Sequence, residues 1–238
     1  MKIAGQVGAV TTCFDSTIEY CRPYLTDEAP DFSVAVTPED RAFEQQASIE
    51  EALEEGIKPR KYGEPHLERA GIQRKFAEAL FDRDILMVHG SAVALDGEGF
   101  LFTADCGTGK STHTRFWREI FGDRAVMVND DKPLLRVKDG QVTVYGTPWN
   151  GKHRLGNNIS VPLKALCILE RGEKNTIEKV DAANVLPLLM QQINRMSDPV
   201  KMFQTMDLLG QLLKCVPIYR LKCNMDPEAA KVSYEGMQ

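Results

Sequence analysis

The chain has 238 residues, of which 43% are hydrophobic and 26% charged, enough for one large globular domain or one domain with a smaller annex. Its formal net charge of −5 argues against a general nucleic-acid or anionic-membrane surface and leaves room only for a local basic site. No segment reaches the roughly 18 uninterrupted apolar residues of a membrane span, and the N-terminus lacks the pattern of a signal peptide.

Residues 1–65 read as an irregular α+β segment that is either separate or integrated with the rest of the chain. "KIAGQVGAVTT" and "DFSVAV" have the character of strands, and "STIEYCRPYL" and "PEDRAFEQQASIEEALEEG" are partly helical. "KPRKYGEP" is a breaker-rich connector. In "HLERAGIQRKFAEALFDRD", Leu67, Ala70, Ile72, Phe76, Leu80 and Phe81 recur at the spacing of an amphipathic helix. This opens a second region, 66–238, that is expected to carry the chemistry.

From Ile85 the pattern turns to strands. "ILMVHGSAVAL" and "GFLFTAD" flank the turn signal "DGEG", which predicts a hairpin, and Asp139–Gly140 predicts another within "PLLRVKDGQVTVYG". "RAVMVNDD", "PLKALCILER" and "PIYRLKC" complete the strands. Three C-terminal helices are expected from "DAANVLPLLMQQINRM", "DPVKMFQTMDLLGQLLKCV" and "DPEAAKVSYEG". Each opens on Asp, a capping residue, and two place Pro at the first helical position, Pro199 and Pro227. The six cysteines form no C-x-x-C pair, so neither zinc nor a disulfide framework is implied, and reduced thiols in a cytoplasm fit best.

Residues 104–111 read A-D-C-G-T-G-K-S, against the common phosphate-loop (Walker A) pattern G-x-x-x-x-G-K-[ST]; Ala104 replaces the first glycine. Gly107 and Gly109 let the backbone open and approach an anion, and the positive end of the following helix, "STHTRFWREIFGD", adds to the attraction. The nucleotide-binding set is Asp105, Cys106, Gly107, Thr108, Gly109, Lys110, Ser111 and Thr112. Lys110 is placed to reach terminal phosphates and Ser111 to ligate magnesium through its hydroxyl. Strand, loop, helix is the order this motif requires.

About 20 residues on, "VMVNDDKP" ends an apolar strand in Asp130 and Asp131. One acid at such a place commonly holds magnesium. A second offers a base for a hydroxyl proton. His89 stands in "MVHGSAV", on the strand expected to pair with the one feeding the loop.

Taken in order, "VHGSAVAL", "ADCGTGKST" and "VMVNDD" resemble the HPr kinase/phosphorylase and phosphoenolpyruvate carboxykinase superfamily, over roughly residues 85–170. The resemblance implies an α/β fold with a mixed-sheet P-loop core and flanking helices. It implies ATP and Mg2+ as cofactors, Lys110 and Ser111 on phosphates and metal, Asp130 as general base, Asp131 as metal ligand and His89 beside the transferred phosphate; on sequence grounds the two acids are interchangeable. "GTPWNGKHRLG" is similar to a loop of small HPr-kinase-like proteins and reads as a substrate or phosphate loop in which Lys152, His153 and Arg154 supply positive charge. The chain is too short for a full carboxykinase, and the segment by which HPr kinase engages its protein substrate is not evident.

The leading expectation is therefore an ATP- and magnesium-dependent kinase acting on a hydroxyl, either of a small metabolite or of a protein or peptide serine. No nucleic-acid or membrane partner is expected, and the resemblance allows a homo-oligomer. A nucleotide-binding regulatory or scaffold protein and a small carboxykinase-like enzyme are the alternatives.

Overall fold

The computed structural model describes residues 1–54, 56–105, 107–193 and 199–238. The chain divides into two compact units, Met1–Arg83 and Asp84–Gln238.

In the first unit, β1 (Lys2–Ile3) and β2 (Gln6–Thr11) pair antiparallel around a tight turn, and β3 (Phe32–Ala35) adds to β2 in parallel. α1 (Asp15–Cys21) and a short 3-10 turn precede β3, and α2 (Pro38–Glu54) and α3 (Glu64–Phe81) come after it. α3 buries Leu67, Ile72, Phe76 and Leu80, the apolar stripe of the sequence pattern. Phe76 meets Phe32 edge to face, with ring centroids 4.9 Å apart. One residue on that face breaks the pattern: Glu68 is fully buried. Its carboxylate accepts hydrogen bonds from Thr12 Oγ1 (2.6 Å), the Cys13 N–H (2.6 Å) and Thr17 Oγ1 (2.7 Å). Burial pushes its pKa up, but these donors outweigh that and hold it below the usual value.

The second unit is built on a nine-stranded mixed sheet. Its strands are β4 (Ile85–Met87), β5 (Ser91–Leu95), β6 (Glu98–Thr103), β7 (Ala125–Asn129), β8 (Leu134–Lys138), β9 (Gln141–Tyr145), β10 (Ser160–Arg171), β11 (Thr176–Lys179) and β12 (Ile218–Cys223). The long strand β10 joins two parts. Its first residues pair antiparallel with β9, which continues through β8 to β4; its later residues pair parallel with both β6 and β12. Beyond β6 lie β5 and then β7. β5, β6 and the second half of β10 are almost wholly buried, which is why they read as continuous apolar runs rather than alternations. Both Asp-Gly turns form: Asp96 and Gly97 have φ of 51° and 85°, and Asp139 and Gly140 have 52° and 75°, the paired positive values of a tight hairpin turn.

α4 (Lys110–Phe121) packs over β5, β6 and β7 and against α7 (Glu228–Gly236), while α6 (Pro199–Cys215) lies over β8 and β9. The core beneath α4 is aromatic: Trp117 is fully buried, with Phe100 and Phe102 at 4.9 and 5.3 Å between ring centroids. At the head of α7 the Asp226 carboxylate accepts the Glu228 N–H at 2.9 Å, the capping role its position suggests. Asp198, the expected cap of α6, falls outside the described residues. No helix among the described residues is long and apolar enough to cross a membrane.

Three elements differ from expectation. The segment 85–95 is two strands, because β4 pairs with β8 while β5 pairs with β6, and the chain crosses between them at Val88–Gly90. The first C-terminal helix is a 3-10 turn (Ala182–Asn184) followed by α5 (Leu186–Gln192), Ile193 then bridges to Val88 in extended form, and residues 194–196 lie outside the described residues. β11 has no sequence signal beyond Ile177, since it is an exposed edge strand whose pairing with β12 is made by its backbone.

Candidate functional site

The glycine loop leaves β6 at Thr103 and enters α4 at Lys110. Gly107 and Gly109 have φ of 72° and 119°, values that favour glycine, and a side-chain carbon added at either would meet no described residue within 4 Å. Among the described residues, the loop therefore faces open space at both glycines. The Lys110 ammonium donates to the Ala104 carbonyl at 2.8 Å and approaches that of Asp105 at 3.4 Å. Ser111 is exposed and Thr112 half-buried in the first turn of α4, where backbone N–H groups lack helical partners. Asp105 is exposed and its carbonyl accepts the Thr108 N–H. Cys106 lies outside the described residues.

Two strands away, β7 delivers the acid pair. Asp130 is 6% exposed, and its Oδ1 accepts the Gly151 N–H at 2.8 Å. A side-chain carbon on Gly151 would stand 3.2 Å from Asp130 Oδ2, so the approach requires glycine or a small shift. Asp131, about a third exposed, has a different partner: its Oδ1 stands 3.4 Å from His89 Nε2.

His89 sits at the crossing between β4 and β5 rather than within a continuous hairpin strand. Its N–H donates to the Gln192 carbonyl (2.7 Å), and its own carbonyl accepts from Thr103 Oγ1 (2.9 Å), the last residue before the loop. Burial lowers its pKa to about 3, helped by the positive charges of Lys132 and Lys110. The Asp131 carboxylate would push it the other way, but two ammonium groups and desolvation prevail. At neutral pH the contact is thus a neutral imidazole beside a carboxylate, not an ion pair, and His89 is suited to hydrogen bonding rather than to carrying charge.

Holding the acids in place is Asn129, a fully buried residue that motif reading does not single out. Its Oδ1 accepts the N–H groups of Asp131 (2.8 Å) and Lys132 (2.6 Å). Its Nδ2 faces Thr147 Oγ1 (3.0 Å), the carbonyls of Thr147 (3.1 Å) and Trp149 (3.3 Å), and Asn150 Oδ1 (3.2 Å). Thr147, also buried, donates its hydroxyl hydrogen to the Lys132 carbonyl at 2.9 Å. One side chain thus ties the turn carrying the acids to the loop "TPWNG". Trp149 of that loop is buried. The one hint in the sequence is a polar residue closing an apolar strand directly before two acids.

Lys152, His153 and Arg154 are exposed on the turn after Gly151, and Arg154 has φ of 51°. Gly151, which contacts Asp130, immediately precedes them, and the Arg154 N–H donates to the Gly151 carbonyl at 3.1 Å. A further cation does reach the loop: Arg171, the last residue of β10, donates from Nη2 to the Gly107 carbonyl at 2.8 Å.

The site thus assembles a glycine loop, a lysine, a neutral histidine and two carboxylates held apart by different partners, all within the second unit. No protein-family model matches the chain, and no curated relative matches its sequence. Among solved structures, it is similar to the HPr(Ser) kinase/phosphatase from Coxiella burnetii, at a TM-score of 0.38 and 13% identity, over 63% of this chain and 94% of that one. A likeness this distant says nothing about the chemistry of the site.

Proposed function

We propose that the second unit is the catalytic body of a kinase that moves the terminal phosphoryl group of ATP, with Mg2+, to a hydroxyl acceptor. The observation that carries the reading is that the adjacent acids have different partners: Asp130 is bonded to Gly151 of the "TPWNG" loop, and Asp131 faces His89, which lies within the electrostatic reach of Lys110. A simple phosphate-binding switch needs one acid for its metal; a hydroxyl phosphotransferase uses a second as base.

The residues present fit the groups this reading requires. The loop's open glycines and the first turn of α4 suit the phosphates, and Lys110 is in the loop already. Ser111 and Asp131 are oxygen donors of the kind magnesium accepts alongside phosphate oxygens and water. When bound, the metal would supply neutralisation of phosphate charge. Asp130, on the side of the loop that carries Lys152, His153 and Arg154, would take the proton from the acceptor hydroxyl. His89, neutral, would hydrogen-bond beside Asp131 and the transferred group. The rest is positioning, the main currency of phosphoryl transfer. The order of the three motifs, similar to that of HPr kinases, supports this assignment, and its acceptor is a metabolite or a serine of a protein or peptide.

The test is transfer of labelled phosphate from ATP into a cell extract. Asp130→Asn is expected to abolish labelling and keep nucleotide binding, while Lys110→Ala loses both. Equal turnover by Asp130→Asn and wild type would remove Asp130 from the base role. Nucleotide binding without transfer to any acceptor would instead favour a regulatory nucleotide-binding protein.

A further inference from the structure

We propose that Arg171 is a positioning residue of the donor side, holding the phosphate loop in its anion-accepting conformation by clamping the Gly107 carbonyl. The inference rests on the reading of residues 104–111 as a nucleotide-phosphate site and adds a residue outside that motif.

The geometry begins with the strand. β10 runs parallel to β6, the strand that feeds the loop, and their last paired rung is Ile168 with Thr103. Arg171 lies three residues further, about 10 Å along at the rise of a β-strand, so β10 continues beside the loop after β6 has ended. Its backbone does not hang free there. Arg171 pairs with Cys223 of β12, and the Gly172 N–H donates to the Cys223 carbonyl at 2.9 Å. The preceding residue, Glu170, is engaged with Arg220 of β12 at 2.9 Å. A strand held by β12 therefore presents the guanidinium to a loop that contains two glycines.

The contact fixes one peptide plane. In a trans peptide the C=O and N–H point in opposite directions. Across the Gly107–Thr108 peptide, the carbonyl meets Arg171 at 2.8 Å and the Thr108 N–H meets the Asp105 carbonyl at 3.3 Å. Both poles are held. Gly107, on one side of that peptide, has positive φ and no side chain, so with the carbonyl released only the Asp105 contact at Thr108 N–H would restrain the plane. A carbonyl rotated toward an incoming phosphate opposes it; one held by a cation does not. Ordering the loop before the anion arrives removes part of the conformational cost of binding.

The effect should fall on affinity and spare the chemical step. Arg171→Ala is expected to raise the Kd for Mg-ATP by about tenfold, the scale of one hydrogen bond to a charged group, with kcat at saturation and the melting temperature unchanged. Arg171→Lys keeps a charged donor and should recover most of the loss. Hydrogen exchange at the Thr108 amide in the nucleotide-free protein should quicken in Arg171→Ala. Calorimetric affinities for wild type, Arg171→Ala, Arg171→Lys and Lys110→Ala, alongside that exchange rate, decide it. An Arg171→Ala Kd within about twofold of wild type, with Lys110→Ala clearly impaired, overturns the clamp and leaves the nucleotide site standing. Failure of wild type itself to bind nucleotide overturns the site, and the inference with it.

Discussion

Asn129 Nδ2 stands 3.0 Å from Thr147 Oγ1, and through that pair the turn bearing Asp130 and Asp131 is joined to the loop bearing Gly151. Both residues are fully buried. Removing the Asn129 amide leaves the N–H groups of Asp131 and Lys132 without their acceptor and several groups of 147–150 without their donor. Each such buried group costs about 1–3 kcal/mol. Asn129→Ala should therefore lower stability by about 2–4 kcal/mol in denaturant unfolding and lose most phosphate transfer. Thr147→Val should be milder, and a double-mutant cycle should show the two strongly coupled, since they share one network. Additive effects would mean that the two loops are held independently.

The acids are expected to separate by experiment as they do in space. Asp130→Asn keeps the size and one oxygen facing the Gly151 N–H but removes the negative charge. It should leave nucleotide affinity near wild type while transfer falls by about 10³-fold or more, on the scale of general-base contributions. Lys110→Ala should weaken nucleotide binding directly. Titration calorimetry and a transfer assay on the same preparations make the distinction.

Gly151→Ala tests the closeness of Asp130 to the "TPWNG" loop. The added carbon would lie 3.2 Å from Asp130 Oδ2, tighter than an ordinary contact, so either the loop or the carboxylate must shift a few tenths of an ångström. A shift of this size at a reacting group costs rate rather than fold. The expected result is a melting temperature close to wild type with a substantial fall in kcat. Unchanged kcat would show that Asp130 and Gly151 are not held together during turnover.

His113, in the second turn of α4, is 3% exposed. Its Nε2 lies 3.1 Å from Ser233 Oγ and 3.2 Å from the Trp117 indole nitrogen, which pins the loop's helix to α7. Burial lowers its pKa from 6.5 to about 3. The unfolded chain therefore takes up a proton that the folded protein refuses. Full stability is present above pH 6.5 and is lost as pH falls from 6.5 toward 3, by up to about 1.4 kcal/mol per pH unit for this residue. His89, shifted the same way, steepens the same window. His113→Gln should flatten the slope by about one proton's worth in unfolding measured across that range, and an unaltered slope would place the proton uptake elsewhere.

Local pattern alone was sufficient for much of this protein. The spacing of Leu67, Ile72, Phe76 and Leu80 set α3, the two Asp-Gly pairs set the hairpins, and G-T-G-K-S between an apolar strand and an aromatic helix set the glycine turn into α4, because each depends on period or on the φ freedom of glycine. Which elements meet was decided only by the tertiary structure. The break at Val88–Gly90, the edge strand β11, the different partners of Asp130 and Asp131, the Asn129–Thr147 tie and the reach of Arg171 to Gly107 all depend on contacts between residues far apart in the chain. Glu68 was likewise legible as one more charge on a helix until Thr12, Cys13 and Thr17 closed around it. A hydrogen bond across 18 residues, or 64, leaves no period in the sequence; it exists because the sheet brings strand ends side by side and a buried polar group there must find a partner.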